Sequence, residues 1–334
     1  MTDPRTLAVE SLTYVEKNGK FPTKKIELAL KTLSSENKKF CTFLIMETLR
    51  KRLLIDKVLS ELLNWPENIP KFIRNVLRVG VTQLLFMDTV PGYAAVSEMV
   101  ELVQVKKFRG LVNAVLREVN RKSFEFENLP IYLQYAHPKW LYEYMLKHPY
   151  IDYVESLLMF NQNPPMHAVS PDCKNILDSE GYIYSESDYS DCFLVIEKPE
   201  NAANTEHVDE LKYILEQMFD IPIINPITTE LGRINEKPWL LHSLTESDFI
   251  KSKKQIISYL KEKTLPECFI YFSDTLSLEE NTDVAKELNN YKSVNLEERL
   301  KKRNIESRYG GYGNWLVLPE TPRPAYISYL KRSD

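Results

Sequence analysis

The sequence predicts a multidomain protein: an all-α helical domain followed by a small α/β domain. Three observations predict it. Apolar residues recur at helical spacing through residues 3–122, and short β-type runs appear only beyond Pro164-Pro165. Charge divides where the helical stretch ends. Residues 1–123 hold 21 Lys+Arg against 13 Asp+Glu, a net of +8, and residues 124–334 hold 22 against 34, a net of −12. A basic module joined to an acidic one is the pattern of a nucleic-acid contact carried by one part only. Third, the 334 residues include 9 glycines, where average usage near ~7% gives roughly 23.

In chain order, Leu7, Leu12 and Val15 begin an apolar stripe. Phe40 to Leu63 reads as one long helix, stopped by Pro66 and Pro70. The next helix sets Ile73, Leu77, Val81, Leu84 and Leu85 on one side and Lys71, Arg74 and Arg78 on another, as a basic stripe at i, i+3, i+7. Ala94 to Val105 is helical. Lys106-Lys-Phe-Arg109 with Gly110 reads as a basic junction before a last helix, Leu111 to Asn120, which carries Arg117 and Arg121 at i, i+4. Residues 124–170 are a helical linker rich in aromatics, from Phe124 to Tyr144, suited to packing a junction and also to stacking on bases. Phe193–Ile196, Ile221–Ile224, Cys268–Phe272, Trp315–Leu318 and Ala325–Leu330 read as strands, and the last two as a hairpin at one sheet edge. Helical patterns at Val208–Phe219, Phe249–Leu260 and Val284–Leu288 lie between them. The expected domains are 1–123, 124–170 and 171–334.

The scarcity of glycine weighs against ordinary nucleotide chemistry. A loop that cradles phosphate or a nucleotide needs glycine where backbone approaches the ligand. Neither G-x-G-x-x-G nor G-x-x-x-x-G-K-[ST] occurs, and Tyr309-Gly-Gly-Tyr-Gly313 reads as a turn before a strand. No run approaches the ~18 apolar residues of a membrane span, and nothing at Met1–Arg5 argues for export. The expectation is a cytoplasmic protein. Its four separated cysteines form no CxxC pair and its five histidines no ligand spacing, so no metal is expected.

Leu77-Arg78-Val79-Gly80, Gln83-Leu84-Leu85, Ala94-Ala95-Val96-Ser97-Glu98 and Leu111-Val112-Asn113-Ala114-Val115-Leu116-Arg117 resemble a NusB-type RNA-binding domain. More closely, they resemble the NusB-like domain of the RsmB (Sun/Fmu) 16S rRNA cytosine-5 methyltransferases. His137-Pro-Lys-Trp140 and Asn161-Gln-Asn-Pro-Pro-Met166 look like the linker of that family. The resemblance implies a reduced Rossmann-like methyltransferase domain at the carboxyl end.

The departures are specific. Active members carry a "DxCAAPGGKT" S-adenosylmethionine loop after the first strand. Here Glu197–Asn204 follows Phe193–Ile196, and Glu200 and Asn201 fall at the glycine pair. Those enzymes use two cysteines, one as a thiolate nucleophile on C6 of cytosine and one to assist release, because a thiolate both attacks and leaves well. Aligned on Glu279-Glu280-Asn281, the "YSTCSxxPEEN" cysteine is Asp274, and aligning Asn225–Gly232 with "DAPCSGTG" puts Ile227 at the other. The two motif positions, near 199 and 226, are closer than in active members, as though part of the sheet were deleted. Cys268 reads as core, and Asp274 as a surface carboxylate or helix cap.

The reading is an RNA-binding protein of rRNA maturation or transcription, without methyl transfer and without a cofactor. The expected RNA-binding residues are Lys71, Arg74, Arg78, Lys106, Lys107, Arg109, Arg117 and Arg121, whose charges would release counterions from phosphates. A merely solvated basic face is the plain alternative. The expected partners are RNA, above all rRNA, and transcription or ribosome-assembly proteins. One rival reading is an active S-adenosylmethionine-dependent rRNA (cytosine-C5) methyltransferase. Another is a NusB-type protein-interaction module in an antitermination complex.

Overall fold

The computed structural model describes residues 3–19, 21–63, 69–148, 151–199, 202–311, 314–317 and 324–333. Two compact units result. One is Met1–Tyr142 with Pro238–Ser243, and the other is Glu143–Lys237 with Leu244–Asp334.

The first unit is helical: α1 (Pro4–Asn18), α2 (Thr23–Leu30), α3 (Ser35–Arg50), α4 (Arg52–Leu62), α5 (Lys71–Leu85), α6 (Gly92–Glu101), α7 (Lys106–Arg121) and a short α8 (Ile131–Gln134). Asp3 caps α1 by accepting from the Thr6 amide at 2.8 Å, and Gly19 ends it in the left-handed region at φ 63°. The long pattern Phe40–Leu63 is two helices, not one, because the chain turns at Lys51 (φ −93°, ψ 6°). Pro66 lies outside the described residues. The helical core is continuous through Leu44, Ile55, Leu59, Val76, Leu77 and Leu116. α5 runs through its centre, with every residue from Asn75 to Gln83 buried. At Gly80 an added Cβ would stand 2.6 Å from the Leu116 Cδ1, so the glycine makes room for the Leu116 side chain where α7 packs on α5.

Two boundaries differ from the sequence expectation. The basic stretch Lys106–Arg109 and Gly110 are not a junction but the first turns of α7. Gly110 is exposed and costs the helix only about 1 kcal/mol. The second difference is the 3-10 turn Pro238–His242, which belongs to this unit although its neighbours in sequence do not. Trp239 stacks on Phe21 with ring centres 4.5 Å apart and planes 12° apart, and the His242 Nε2 donates to the Leu49 carbonyl at 2.7 Å.

After α9 (Lys139–Met145) and α10 (Val154–Gln162), the second unit holds two sheets. The first contains β1 (His167–Val169), β2 (Ile183–Glu186), β3 (Phe193–Glu197) and β4 (His207–Val208), in the order β2-β3-β1-β4. All of its pairings are antiparallel. Its small core is Val169, Leu177, Tyr182 and Phe193, with Leu177 on α11 (Lys174–Ser179).

α12 (Glu210–Met218) leads into the second sheet, whose strands are β5 (Ile223–Ile224), β6 (Cys268–Ser273), β7 (Tyr291–Val294), β8 (Ser307–Gly311), β9 (Asn314–Val317) and β10 (Ala325–Arg332). The order is β5-β6-β10-β9-β8, with β7 also on β10. Among the described residues only β5 and β6 pair in parallel. α13 (Glu246–Glu262) and α14 (Thr282–Glu287) connect these strands, as does α15 (Glu297–Lys301). Alternation along β6 and β10 fills two cores, Ile270, Phe272 and Ile327 on one face and Phe269, Tyr271 and Leu330 on the other.

Three sequence expectations are corrected here. Phe193–Ile196 is not the first strand of a Rossmann-like sheet, because both of its neighbours are antiparallel and lie in the separate small sheet. β10 is not at an edge, because it pairs with β6 on one side and with β9 and β7 on the other. Tyr309-Gly-Gly311 is not a turn but part of strand β8. There Gly310 leaves room for the Tyr326 ring, which an added Cβ would meet at 2.7 Å.

Candidate functional site

Two constellations carry the chemistry expected from the sequence. The first is cationic and lies in the helical unit. Arg78, 3% exposed, donates from Nε and Nη2 to the two carboxylate oxygens of Asp56, at 2.7 and 2.8 Å. Its Nη1 reaches Glu16 at 3.1 Å and Asn75 at 3.0 Å. Arg74 donates to the other oxygen of Glu16 at 2.9 Å. Arg52, which sequence reasoning missed, stands 4.0 Å from Glu16 and 3.9 Å from Asp56. Its i, i+4 spacing to Asp56 was the available signal. Burial opposes the charge on Glu16, yet Arg78, Arg52, Asn75 and Arg74 outweigh it and hold the carboxyl below its ordinary value. Burial and the nearby Arg78 push Arg52 down to about 10.

The basic stripe read along α5 is therefore divided by burial. Lys71 is exposed and reaches the Glu16 carbonyl at 3.2 Å, Arg74 is partly covered, and Arg78 is inside. The expectation that all three positions lie off the apolar surface fails, because α5 is enclosed on nearly every side. Arg78 and Arg74 tie α5 to α1 and α4.

The cations of α7 are placed differently. Val112, Val115, Leu116 and Val119 face the core, and Lys106, Lys107, Arg109, Arg117 and Arg121 are exposed. Their contacts are short and local. Arg109 donates to the Val103 carbonyl at 3.0 Å, Arg117 to Asn113 at 3.1 Å, and Arg121 to Glu118 at 2.8 Å. The N-cap, Val105, gives no side-chain cap, and the first turn holds no acid. A helix start carries partial positive charge from unpaired N–H groups, so cations there cost about 0.3–1 kcal/mol each and an anion is favoured.

The second constellation is where the parallel pair ends, at the loops after β5 and β6. Thr229 of the first loop donates to Glu280 of the second from its amide at 2.7 Å and from its hydroxyl at 2.6 Å. Gly232 donates its amide to the Asp274 carbonyl at 3.0 Å, and an added Cβ there would lie 2.5 Å from the Pro324 carbonyl oxygen. Glu280 is fully buried and also accepts from Ser252, Thr275 and Ser277. Asn281 donates to the carbonyls of Thr275 and Ser277 at 3.2 and 2.6 Å. The structure thus brings together the two segments that the resemblance singled out.

Neither thiol position holds a thiol. Asp274 follows β6 directly, is 6% exposed, and stands 3.8 Å from the Arg233 guanidinium. It is neither a surface carboxylate nor a helix cap, and nothing in the sequence marked Arg233 as its neighbour. Ile227 is 92% exposed. Cys268 is half-buried at the opposite end of β6, about 20 Å from Asp274 at ~3.3 Å per residue. Cys41 and Cys192 are buried, and burial pushes the Cys41 thiol up to about 12 and also raises Cys192. Glu200 and Asn201 lie outside the described residues. No helix among the described residues is long and apolar enough to cross a membrane, and none of their His, Cys, Asp and Glu side chains group as a metal site. A cleft of about 770 Å³ opens between the Asn163–His167 segment and Arg233. The linker aromatics pack locally, with Phe126 on Phe86 at 6.3 Å and Tyr144 on Phe249 at 5.1 Å.

Residues 2–121 match the family model described as the NusB family. This helical unit contains a NusB domain. Over about half of its length the chain is also similar to proteins named ribosomal RNA small subunit methyltransferase B. Identity is 28% over 151 residues with the probable enzyme of Bacillus subtilis, covering 42% of this chain and 34% of that protein. It is 30% over 179 residues with the probable enzyme of a Synechocystis species, covering 50% and 40%. It is 32% over 144 residues with the Thermus thermophilus protein, covering 42% and 34%. The matches thus take in only 34–40% of the length of these relatives. The crystal structure of the protein PH0851 shares the fold, with a TM-score of 0.68 at 14% identity, over 100% of this chain and 99% of that one. The NusB domain and the mixed-sheet unit after it thus make a multidomain fold shared with that structure.

Proposed function

We propose that this protein binds RNA of the small ribosomal subunit through its NusB domain, in a cytoplasmic setting of rRNA maturation. The observation that carries the reading is the exposed cationic face of α7, whose first turn gathers Lys106, Lys107 and Arg109 at an uncapped helix start. Charge and helix dipole there both favour a phosphate. Arg117 and Arg121 extend the same face. The names of the relatives supply the class of RNA. Of the α5 cations, Lys71 is exposed and meets only the Glu16 backbone carbonyl, so it is kept among the RNA-binding residues.

We infer further that the thiol-dependent transfer implied by the resemblance does not run on this chain. A carboxylate at Asp274 is a poor nucleophile toward C6 of a pyrimidine, and Arg233 stabilises its charge further. The described residues also fit S-adenosylmethionine poorly. The parallel part of the sheet is β5 and β6 alone, and Gly232, the glycine after β5, is used for backbone contact with Asp274 and Pro324. Among the described residues no strand, glycine turn and helix follow one another as a cofactor site requires.

The test is fluorescence anisotropy of the full chain with a structured rRNA fragment across a salt series. Replacing Lys106, Lys107 and Arg109 by Ala is expected to weaken binding and to lower the log–log salt slope by about one unit per lost phosphate contact. Wild-type protein without salt-dependent binding overturns the reading in favour of a protein-interaction module. A 5-methylcytosine product formed on the fragment with S-adenosylmethionine present overturns the exclusion of catalysis.

A further inference from the structure

A basic segment of the acidic half borders a notch in the second sheet. Residues 299–308 hold five cations, Arg299, Lys301, Lys302, Arg303 and Arg308, against a single acid, Glu306. All five are exposed. The notch arises from the register of β10, which pairs with β9 through Ala325–Ser328 and with β7 through Tyr329–Arg332. The two partner strands meet end to end along one side of β10, with Asn314 opposite Ser328 and Val294 opposite Tyr329. At that junction a recess of about 420 Å³ is lined by Ser293, Val294, Asn295, Glu297, Tyr309 and Trp315.

Its chemistry is aromatic with a few directed polar groups. Tyr309 is 55% exposed, and its ring centre is 5.4 Å from that of Trp315, with the planes 60° apart. Trp315 is 93% buried, as the complement of its 7% exposure, and its indole N–H has no hydrogen-bond partner among the described residues. Asn295 accepts from the Glu297 amide at 2.8 Å through its carbonyl oxygen, and its NH2 remains as a second donor of the lining.

We propose that this recess takes one unpaired RNA base, stacked on Tyr309 beside Trp315, while the flanking phosphates meet Lys302 and Arg303. The proposal rests on the RNA-binding reading and adds a second contact, in the half whose overall charge opposes RNA. An unpaired base fits because both of its faces and its edge are open. In a duplex they are covered by neighbours and by the pairing partner. Stacking needs only a π-face, so the recess favours single strands over duplexes without strict sequence preference. The surrounding cations repel a basic peptide and match the repeating phosphates of the strand.

The test compares a labelled oligouridylate with a labelled RNA duplex, using the full chain. Tyr309→Ala is expected to weaken oligouridylate binding about 5- to 100-fold, the loss of one base stack, and to leave duplex binding unchanged. Tyr309→Phe keeps the stacking face and is expected to restore wild-type affinity. Oligouridylate is expected to quench tryptophan fluorescence in the wild type, with most of that quenching lost in Trp315→Phe. If Tyr309→Ala binds oligouridylate as tightly as the wild type, the recess is overturned while the α7 reading stands. If both Tyr309 variants weaken single strand and duplex alike, the stacking site is likewise overturned. If the wild type binds neither RNA, the RNA-binding reading itself fails, and an acidic peptide becomes the ligand to try on this basic segment.

Discussion

Arg78 and Asp56 are joined by two parallel hydrogen bonds, Nε to Oδ1 at 2.7 Å and Nη2 to Oδ2 at 2.8 Å, and the arginine is almost wholly buried. Removing one partner strands the other charges of the network. Arg78→Ala is expected to destabilise the helical unit by about 3–5 kcal/mol. Arg78→Lys should recover little, because an ammonium cannot make the bidentate contact. Urea unfolding followed by circular dichroism measures both. A cost under about 1 kcal/mol for Arg78→Ala would return this arginine to the RNA-binding surface.

Acid should loosen the same unit well before its carboxylates titrate. Burial lowers His137 to about 4 and His242 to about 3, from an ordinary value of 6.5. The unfolded chain binds these protons first, so stability is present above pH 6.5 and falls as pH drops toward 4. The expected slope is about 1.4 kcal/mol per pH unit for each histidine. His242→Gln retains a donor for the Leu49 carbonyl, and it should remove about one proton from that slope. Thermal melts from pH 7.5 to 4.5 give the comparison; equal slopes in the two proteins would contradict the assignment.

Gly232→Ala should be costly in the mixed-sheet unit. Its Cβ would press on the carbonyl oxygens of Pro324 and Asp274, at 2.5 and 3.0 Å, and both are backbone atoms that cannot swing aside. A loss of about 2–4 kcal/mol is expected by the logic of overpacking and backbone displacement. Gly110→Ala, with nothing within 4 Å, serves as the contrast and should stabilise slightly. Chemical denaturation of the two variants separates close approach from mere glycine content.

Glu280→Gln replaces an acceptor by a group that is half donor. Four residues, Thr229, Ser252, Thr275 and Ser277, point donors at this carboxylate, so one amide N–H must face other donors. A loss of about 2–4 kcal/mol is expected. Hydrogen exchange at the Thr229 amide should rise in parallel, because that N–H loses its charged acceptor. Unchanged protection there would show that the two loops hold together by other means.

The helical half was legible in the sequence because period and phrase agreed: the Ile73–Leu85 stripe and the Leu111–Arg117 segment each specify one buried face. What escaped was enclosure. Helical spacing places Arg78 opposite Leu77 but does not say that α1, α3, α4, α6 and α7 surround α5. In the other half, Phe193–Ile196 looks like a buried first strand because its residues are apolar, yet pairing direction is a non-local property that no window of residues reports. The positions of Asp274 and Ile227 were readable from Glu279-Glu280-Asn281 and Asn225–Gly232. Arg233 beside Asp274 was not, because the approach depends on Gly232 allowing two backbones to touch.

The turn Pro238–His242 sets a timetable for synthesis. The helical unit has all its helices once Gln134 has been made, but the surface around Phe21 waits for Trp239, and the Leu49 carbonyl waits for His242. At ~5–20 residues per second, that wait lasts roughly 5–20 s. During it the nascent domain shows an uncovered aromatic face to the chaperones and chains around the ribosome. A gene fragment that stops at Tyr142 would keep that face open permanently, so the length at which the message ends decides whether this domain is finished or merely folded.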